Sequence, residues 1–223
     1  MNTFWRQALT MGRKELVTEA RSGEVLLVTA PFGAVALLLI PLAIGTDTPL
    51  LSRIGPGLYW VIVLLFGILV ALRQSAVDAP PQRDLVGLLG IDPAARFAGQ
   101  AGATAALLLV FELILGPVAA ALYNPDVSGW AWLVVLLPLN AVGLALLGTL
   151  AGWVTFSLGA GTALVPLLVA PMAVPLLLGA TQALEGLRLH EDILGWVLLV
   201  VAMDLLLAVA GVLSARPLEE AAR

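Results

Sequence analysis

Two acids, Glu112 and Asp204, stand alone inside long apolar runs. A carboxyl at the centre of a membrane helix costs about 2.5–3.5 kcal/mol on the insertion scale, so it faces the bundle interior or water. No arginine or lysine falls at comparable depth to pair with them. Each acid therefore either carries a proton or lines a wet cavity. Asn140, Thr181 and Gln182 are candidate hydrogen-bond partners. Two readings stay open, a proton pathway and structural glue between helices. The second is favoured, because no chain of further ionisable groups extends a path.

Other chemistry is limited by what the chain lacks. There is no cysteine, which excludes thiol catalysis, disulfides and thiolate metal sites. A single histidine, His190, excludes paired-histidine zinc motifs and bis-histidine haem ligation within one chain. The single lysine, Lys14, lies in Arg13-Lys14-Glu15, not after a glycine-rich loop, so there is no Walker A motif. Gly159-Ala160-Gly161 lacks both the preceding strand and the following lysine of a phosphate loop. No nucleophile elbow is present. No catalytic residue and no metal site are expected.

His190 sits in Arg188-Leu189-His190-Glu191-Asp192, where a metal or haem ligand is conceivable but an exposed loop histidine fits better. Met172 and Met203 are weak potential ligands, and more naturally helix packing. Pro166, Pro171 and Pro175 share one apolar run. Each removes a backbone donor, so the three together are expected to kink or locally unwind that helix.

The elements that position these residues follow from composition. The chain is 61% hydrophobic and 12% charged, against roughly 45–50% and 25% in a soluble domain. About 20 apolar residues cross the hydrocarbon core. Spans are expected at 25–45, 54–72, 97–122, 130–156, 163–183 and 193–214. From Val127 to Leu184 no residue is charged, and Ser157–Thr162 is the natural break between two spans there. Membrane strands would be shorter and alternating. The fold class is thus all-α integral membrane, with six transmembrane helices. The first apolar run begins only at Val25 and lacks a cleavage-site pattern, so the first span is expected to be retained.

Arg6, Arg13, Lys14, Arg21, Arg73, Arg83, Arg96, Arg216 and Arg223 fall on one side of the six spans, and only Arg53 and Arg188 on the other. The positive-inside rule then places both termini in the cytoplasm. The net charge of −4 offers no basic face to nucleic acid.

Two segments lie at the membrane edge. Residues 1–24 read as a cytoplasmic amphipathic interfacial helix. Arg6, Arg13, Lys14 and Arg21 share one arc, and Phe4, Trp5, Leu9, Met11, Leu16 and Ala20 take the remainder. A plain basic anchor that fixes topology is the competing reading. Glu15 and Glu19 interrupt the apolar arc, which points them toward a partner protein. Residues 73–96 form the second segment. After Pro80-Pro81, Gln82–Leu89 reads as a short helix with Leu85, Leu88 and Leu89 on one stripe, closed by Gly90 and Pro93. Such a helix docks in a groove, of another protein or at the membrane surface.

Ile40-Pro41-Leu42-Ala43-Ile44-Gly45 and Leu50-Leu51-Ser52-Arg53-Ile54-Gly55-Pro56-Gly57-Leu58-Tyr59-Trp60 resemble a signature of the haem exporter protein B family. These are permease subunits of the cytochrome c maturation ABC transporter. Val169–Leu177 is similar to that family's proline-rich fifth helix, and the resemblance covers nearly the whole chain. The 73–96 loop departs from the family pattern: Pro80-Pro81-Gln82 replaces an acidic-glycine element, and Arg83-Asp84 stands where Leu-Glu is usual.

The resemblance implies an ABC-2-like permease in a bacterial inner membrane, not itself an enzyme. Its partners would be a cytoplasmic ATPase subunit, a second copy of itself, a haem-handling membrane protein and a small single-span subunit. ATP would be bound by the ATPase, and haem would be a possible transported substrate, with no cofactor held by this chain. Haem export and release of a haem-loaded chaperone are both implied uses of the energy. The residues expected to couple to the ATPase are Arg83, Asp84, Leu85, Leu88, Leu89 and Glu15. Three rivals remain at this point. One is a permease for another lipophilic cargo, one a non-transporting scaffold of the haem-handling complex, and one a proton-coupled carrier using Glu112 and Asp204.

Overall fold

The computed structural model describes residues 2–45, 48–77, 90–124, 129–159, 161 and 163–221. Every regular element among them is helical. Helix α1 is Asn2–Ser22, and it stops at Gly23, whose φ of +62° only glycine adopts without strain. A π-helical turn, Glu24–Thr29, leads into α2, Ala30–Ile44. Then come α3, Thr48–Val77, and α4, Pro93–Tyr123. A 3₁₀ turn at Trp130–Trp132 opens α5, Leu133–Ser157. The chain ends with α6, Leu164–Leu189, and α7, Leu194–Ala221.

Helices α2 to α7 supply six segments long and apolar enough to cross a membrane. The protein is therefore an all-α, multi-pass membrane protein. All six expected spans are present, but most run further than the apolar residues alone indicate. Helix α6 continues to Leu189, not 183, because Arg188 Nε donates to Glu185 Oε2 at 3.0 Å one turn earlier. The pair lets a helix emerge from hydrocarbon without breaking its backbone bonds. Helix α3 begins at Thr48 rather than 54, with Arg53 inside it. Helix α4 begins at Pro93, four residues before the expected span. Its start is set by Asp92, whose Oδ1 accepts the Ala94 N–H at 3.1 Å, and by proline at the first helical position. The connection between α3 and α4 is correspondingly shorter than 73–96.

Burial separates centre from periphery. In α3 and α5, 56% of the membrane window is buried inside the bundle, against 17% in α2. Helix α5 is the hub: it packs on α3, α4, α6 and α7. Its small residues, Ala141, Gly143, Ala145, Gly148 and Ala151, let neighbours approach closely, as packing in lipid requires. Aromatic contacts tie the other helices together. The Phe66 ring of α3 stacks on Phe111 of α4, 3.4 Å between centroids and 4° from parallel. The Tyr123 hydroxyl of α4 donates to the Leu37 carbonyl of α2 at 2.8 Å. The bundle has two ends. One carries α1 and the connection from α3 to α4; the other carries the α2–α3, α4–α5 and α6–α7 connections.

Candidate functional site

Helices α4 and α7 run in opposite directions, and their acids come to similar depth. Glu112 lies eleven residues before Tyr123, and Asp204 ten residues after Leu194. At 1.5 Å per residue each carboxyl is about 15 Å below the end opposite α1. Both belong to helices packed on α5. Glu112 is wholly buried, with Asn140 of α5 as its polar neighbour. Asp204 is also buried and lies against Gly143, one turn further along α5. A methyl at Gly143 would collide with Asp204 Oδ1 and would sit 2.8 Å from Leu176. Glycine there is what admits the acid.

Neither carboxyl makes a hydrogen bond of ordinary geometry, nor does the Asn140 amide. Neither acid has an ion-pair partner among the described residues. Thr181 and Gln182 are half-buried on α6 and do not bond to either acid. The sequence missed one link: the Tyr59 hydroxyl of α3 donates to the backbone carbonyl of Glu112 at 2.9 Å. That bond fixes the α4 backbone at the acid and leaves its side chain toward α5.

Above Glu112 lies a cavity of about 460 Å³, within the range of small-molecule sites. Tyr59 and Trp60 of α3, Gly116 and Ala120 of α4 and Leu137 of α5 are among its walls. The lining is almost entirely apolar, so the space suits hydrocarbon better than an ion or a solvated solute. Glu112 is itself one of the lining residues, whereas Asp204 is not.

The prolines of α6 have different situations. Pro166 falls in the first turn, where a missing N–H breaks no helical bond. Pro171 and Pro175 lie inside the helix, yet α6 is continuous from Leu164 to Leu189, so the prolines do not unwind it. His190 follows as the C-cap, exposed and in the left-handed region at φ +60°. Its backbone closes the helix, a position glycine usually takes.

At the α1 end the residues are tightly interlocked. Glu19 is buried and pairs with Arg73 of α3 at 3.3 Å. Glu15 is half-buried and pairs with Lys14 at 3.5 Å. So Glu19, read as facing another protein, is held by its own chain. Arg96, expected at the end of the 73–96 loop, lies in α4 and is buried with its guanidinium 5.5 Å over the Trp153 ring. The Trp153 Nε1 donates to Gln100 Oε1 at 2.7 Å. Asp92 gathers three elements: its N–H reaches Gln7 of α1 at 3.3 Å, its Oδ1 caps α4, and its Oδ2 accepts from Arg216 of α7 at 3.3 Å. The expected coupling residues Arg83, Asp84, Leu85, Leu88 and Leu89 lie outside the described residues, so of that group only Glu15 is placed.

The contact between α1 and α4 went unread in the sequence. A Cβ on Gly99 would lie 2.5 Å from the Ala8 carbonyl, and one on Gly12 would lie 3.1 Å from the Gly99 carbonyl. The two backbones therefore touch. Ala8 with Gly12, and Gly99 with Ala103, form small residues four apart, a pattern of close helix crossings that was available to read.

Comparison with known proteins gives the same answer along most of the chain. A family model described as CcmB protein matches residues 6–219. Heme exporter protein B of Haemophilus influenzae is 32% identical over 182 residues, covering 80% of this chain and 81% of its own. That of Paracoccus denitrificans is 31% identical, covering 80% and 82%. That of Rhodobacter capsulatus is 32% identical, covering 70% and 72%. Six spans, a hub helix of small residues and a match running from α1 into α7 together establish that this chain belongs to the CcmB protein family.

Proposed function

We propose that this chain is the membrane permease subunit of an ABC transporter for cytochrome c biogenesis. The family match over residues 6–219 carries the reading. The relatives are named heme exporter protein B, and their coverage includes most of the six spans. On this reading the chain sits in a bacterial inner membrane with both termini in the cytoplasm, supported by the asymmetry of its arginines. It couples ATP hydrolysis on a separate cytoplasmic subunit to haem export or to release of a haem-loaded chaperone. It works beside a second copy of itself, a haem-handling membrane protein and a small single-span subunit. The chain has no Walker A sequence of its own, which fits a division of labour in which another subunit burns ATP.

The segment 82–89, between α3 and α4, is the proposed contact with that ATPase, through Arg83, Asp84 and the stripe Leu85, Leu88 and Leu89. Affinity-tagged wild-type chain is expected to co-purify the ATPase of the same cytochrome c maturation system. An Asp84→Arg, Leu88→Glu double variant is expected to reach the membrane at normal level and recover little ATPase. Equal recovery by the two proteins would move the docking site elsewhere.

A further inference from the structure

Helix α1 has three faces, and two of them are exposed among the described residues. At 100° per residue, Ala8, Gly12 and Glu19 share the face that meets α4 and the Arg73 side chain of α3. Gln7 adds a bond to the Asp92 N–H at the start of α4. These contacts leave the helix no freedom to roll. Trp5, Leu9 and Leu16 then form an apolar stripe about 40° wide, 57%, 71% and 37% exposed. Directly beside it stand Arg13 and Arg6, about 20° apart in azimuth and about 10 Å apart along the axis. Both are exposed, and neither has an ion pair with any described residue.

The depth of this helix is set by what it touches. Arg73 closes the α3 span, Asp92 caps α4, and Gly99 lies in its second turn. So α1 lies at the level where hydrocarbon gives way to headgroups. An apolar stripe at that level enters the bilayer, and two unpaired guanidiniums beside it face the phosphates. We propose that α1 is a binding edge for anionic phospholipid, with Arg6 and Arg13 on the phosphate and Trp5, Leu9 and Leu16 beside its acyl chains. The charge complementarity selects the lipid, and the docked face holds α1 to the ends of α3 and α4. Bound lipid would thereby stiffen the two helix ends that flank residues 78–89.

The test uses the purified full chain in detergent with equal parts phosphatidylcholine and phosphatidylglycerol, counting retained lipid by native mass spectrometry. Wild type is expected to retain phosphatidylglycerol preferentially. Each surface base contributes a factor of about five, so Arg6→Gln, Arg13→Gln should weaken retention about 30-fold. Arg6→Lys, Arg13→Lys should keep most of it, and Arg53→Gln, Arg188→Gln at the far end should keep all of it. Equal retention of the two lipids by wild type would overturn the proposal. So would unchanged retention by the glutamine pair, or displacement of the lipid by glycerol phosphate alone.

Discussion

A leucine at Gly99 is expected to detach α1 while leaving the six spans folded. The Cβ alone would meet the Ala8 carbonyl at 2.5 Å and the Met11 Cβ at 2.8 Å. Carbonyl and backbone cannot step aside as a flexible side chain can, so α1 must move as a unit. Overpacking of this kind costs about 1–3 kcal/mol, enough to open the docked state ten- to hundredfold more often. The chain supplies its own reporter, since Lys14 on α1 is its single lysine. Cleavage by a lysine-specific protease should accelerate by that factor in Gly99→Leu when opening is fast relative to cutting. Gly102→Leu is the control: a Cβ there meets nothing within 4 Å and faces outward, so cleavage should match wild type. Equal rates in the two variants would mean that the α1–α4 contact is not a clamp.

The second large effect is expected at Glu112. Lysine there places an ammonium in a wholly buried site whose side-chain polar neighbour, Asn140, carries no charge. The insertion cost of about 2.5–3.5 kcal/mol is a lower bound once protein packing excludes snorkelling, so the yield of monodisperse protein should drop on the order of a hundredfold. Glu112→Gln keeps shape and the Asn140 neighbour, and should purify as well as wild type. If the acids serve as polar glue, Glu112→Gln and Asp204→Asn each support normal cytochrome c maturation. Loss of maturation by well-folded Glu112→Gln would instead establish a proton pathway. Normal yield of Glu112→Lys would mean that water reaches the site.

These two positions mark what the sequence disclosed and what it withheld. The six spans were legible because lipid imposes a length and forbids open backbone, so long uncharged runs have one solution. Their ends were not, because a helix outlasts its apolar stretch wherever charges pair along it, as Glu185 and Arg188 do. The two acids were legible as anomalies. Their surroundings were not, because Asn140, Gly143 and Tyr59 come from other helices and no local pattern announces which side chain will face which. The amphipathic character of α1 was visible, but its azimuth depended on Gly12 meeting Gly99 and Glu19 meeting Arg73. Those partners lie far apart in the chain. Pro166 shows a smaller lesson: three prolines in one run look alike until the helix start is known, and only then does one become a first-turn residue.

Whether the six-span chain serves cytochrome c maturation as a permease subunit is tested most directly by haem staining of c-type cytochromes in cells lacking only this chain. Mature c-type cytochromes should fall to background while b-type haem proteins persist, and the wild-type chain supplied in trans should restore them. Normal c-type cytochromes in the deleted cells would contradict the assignment.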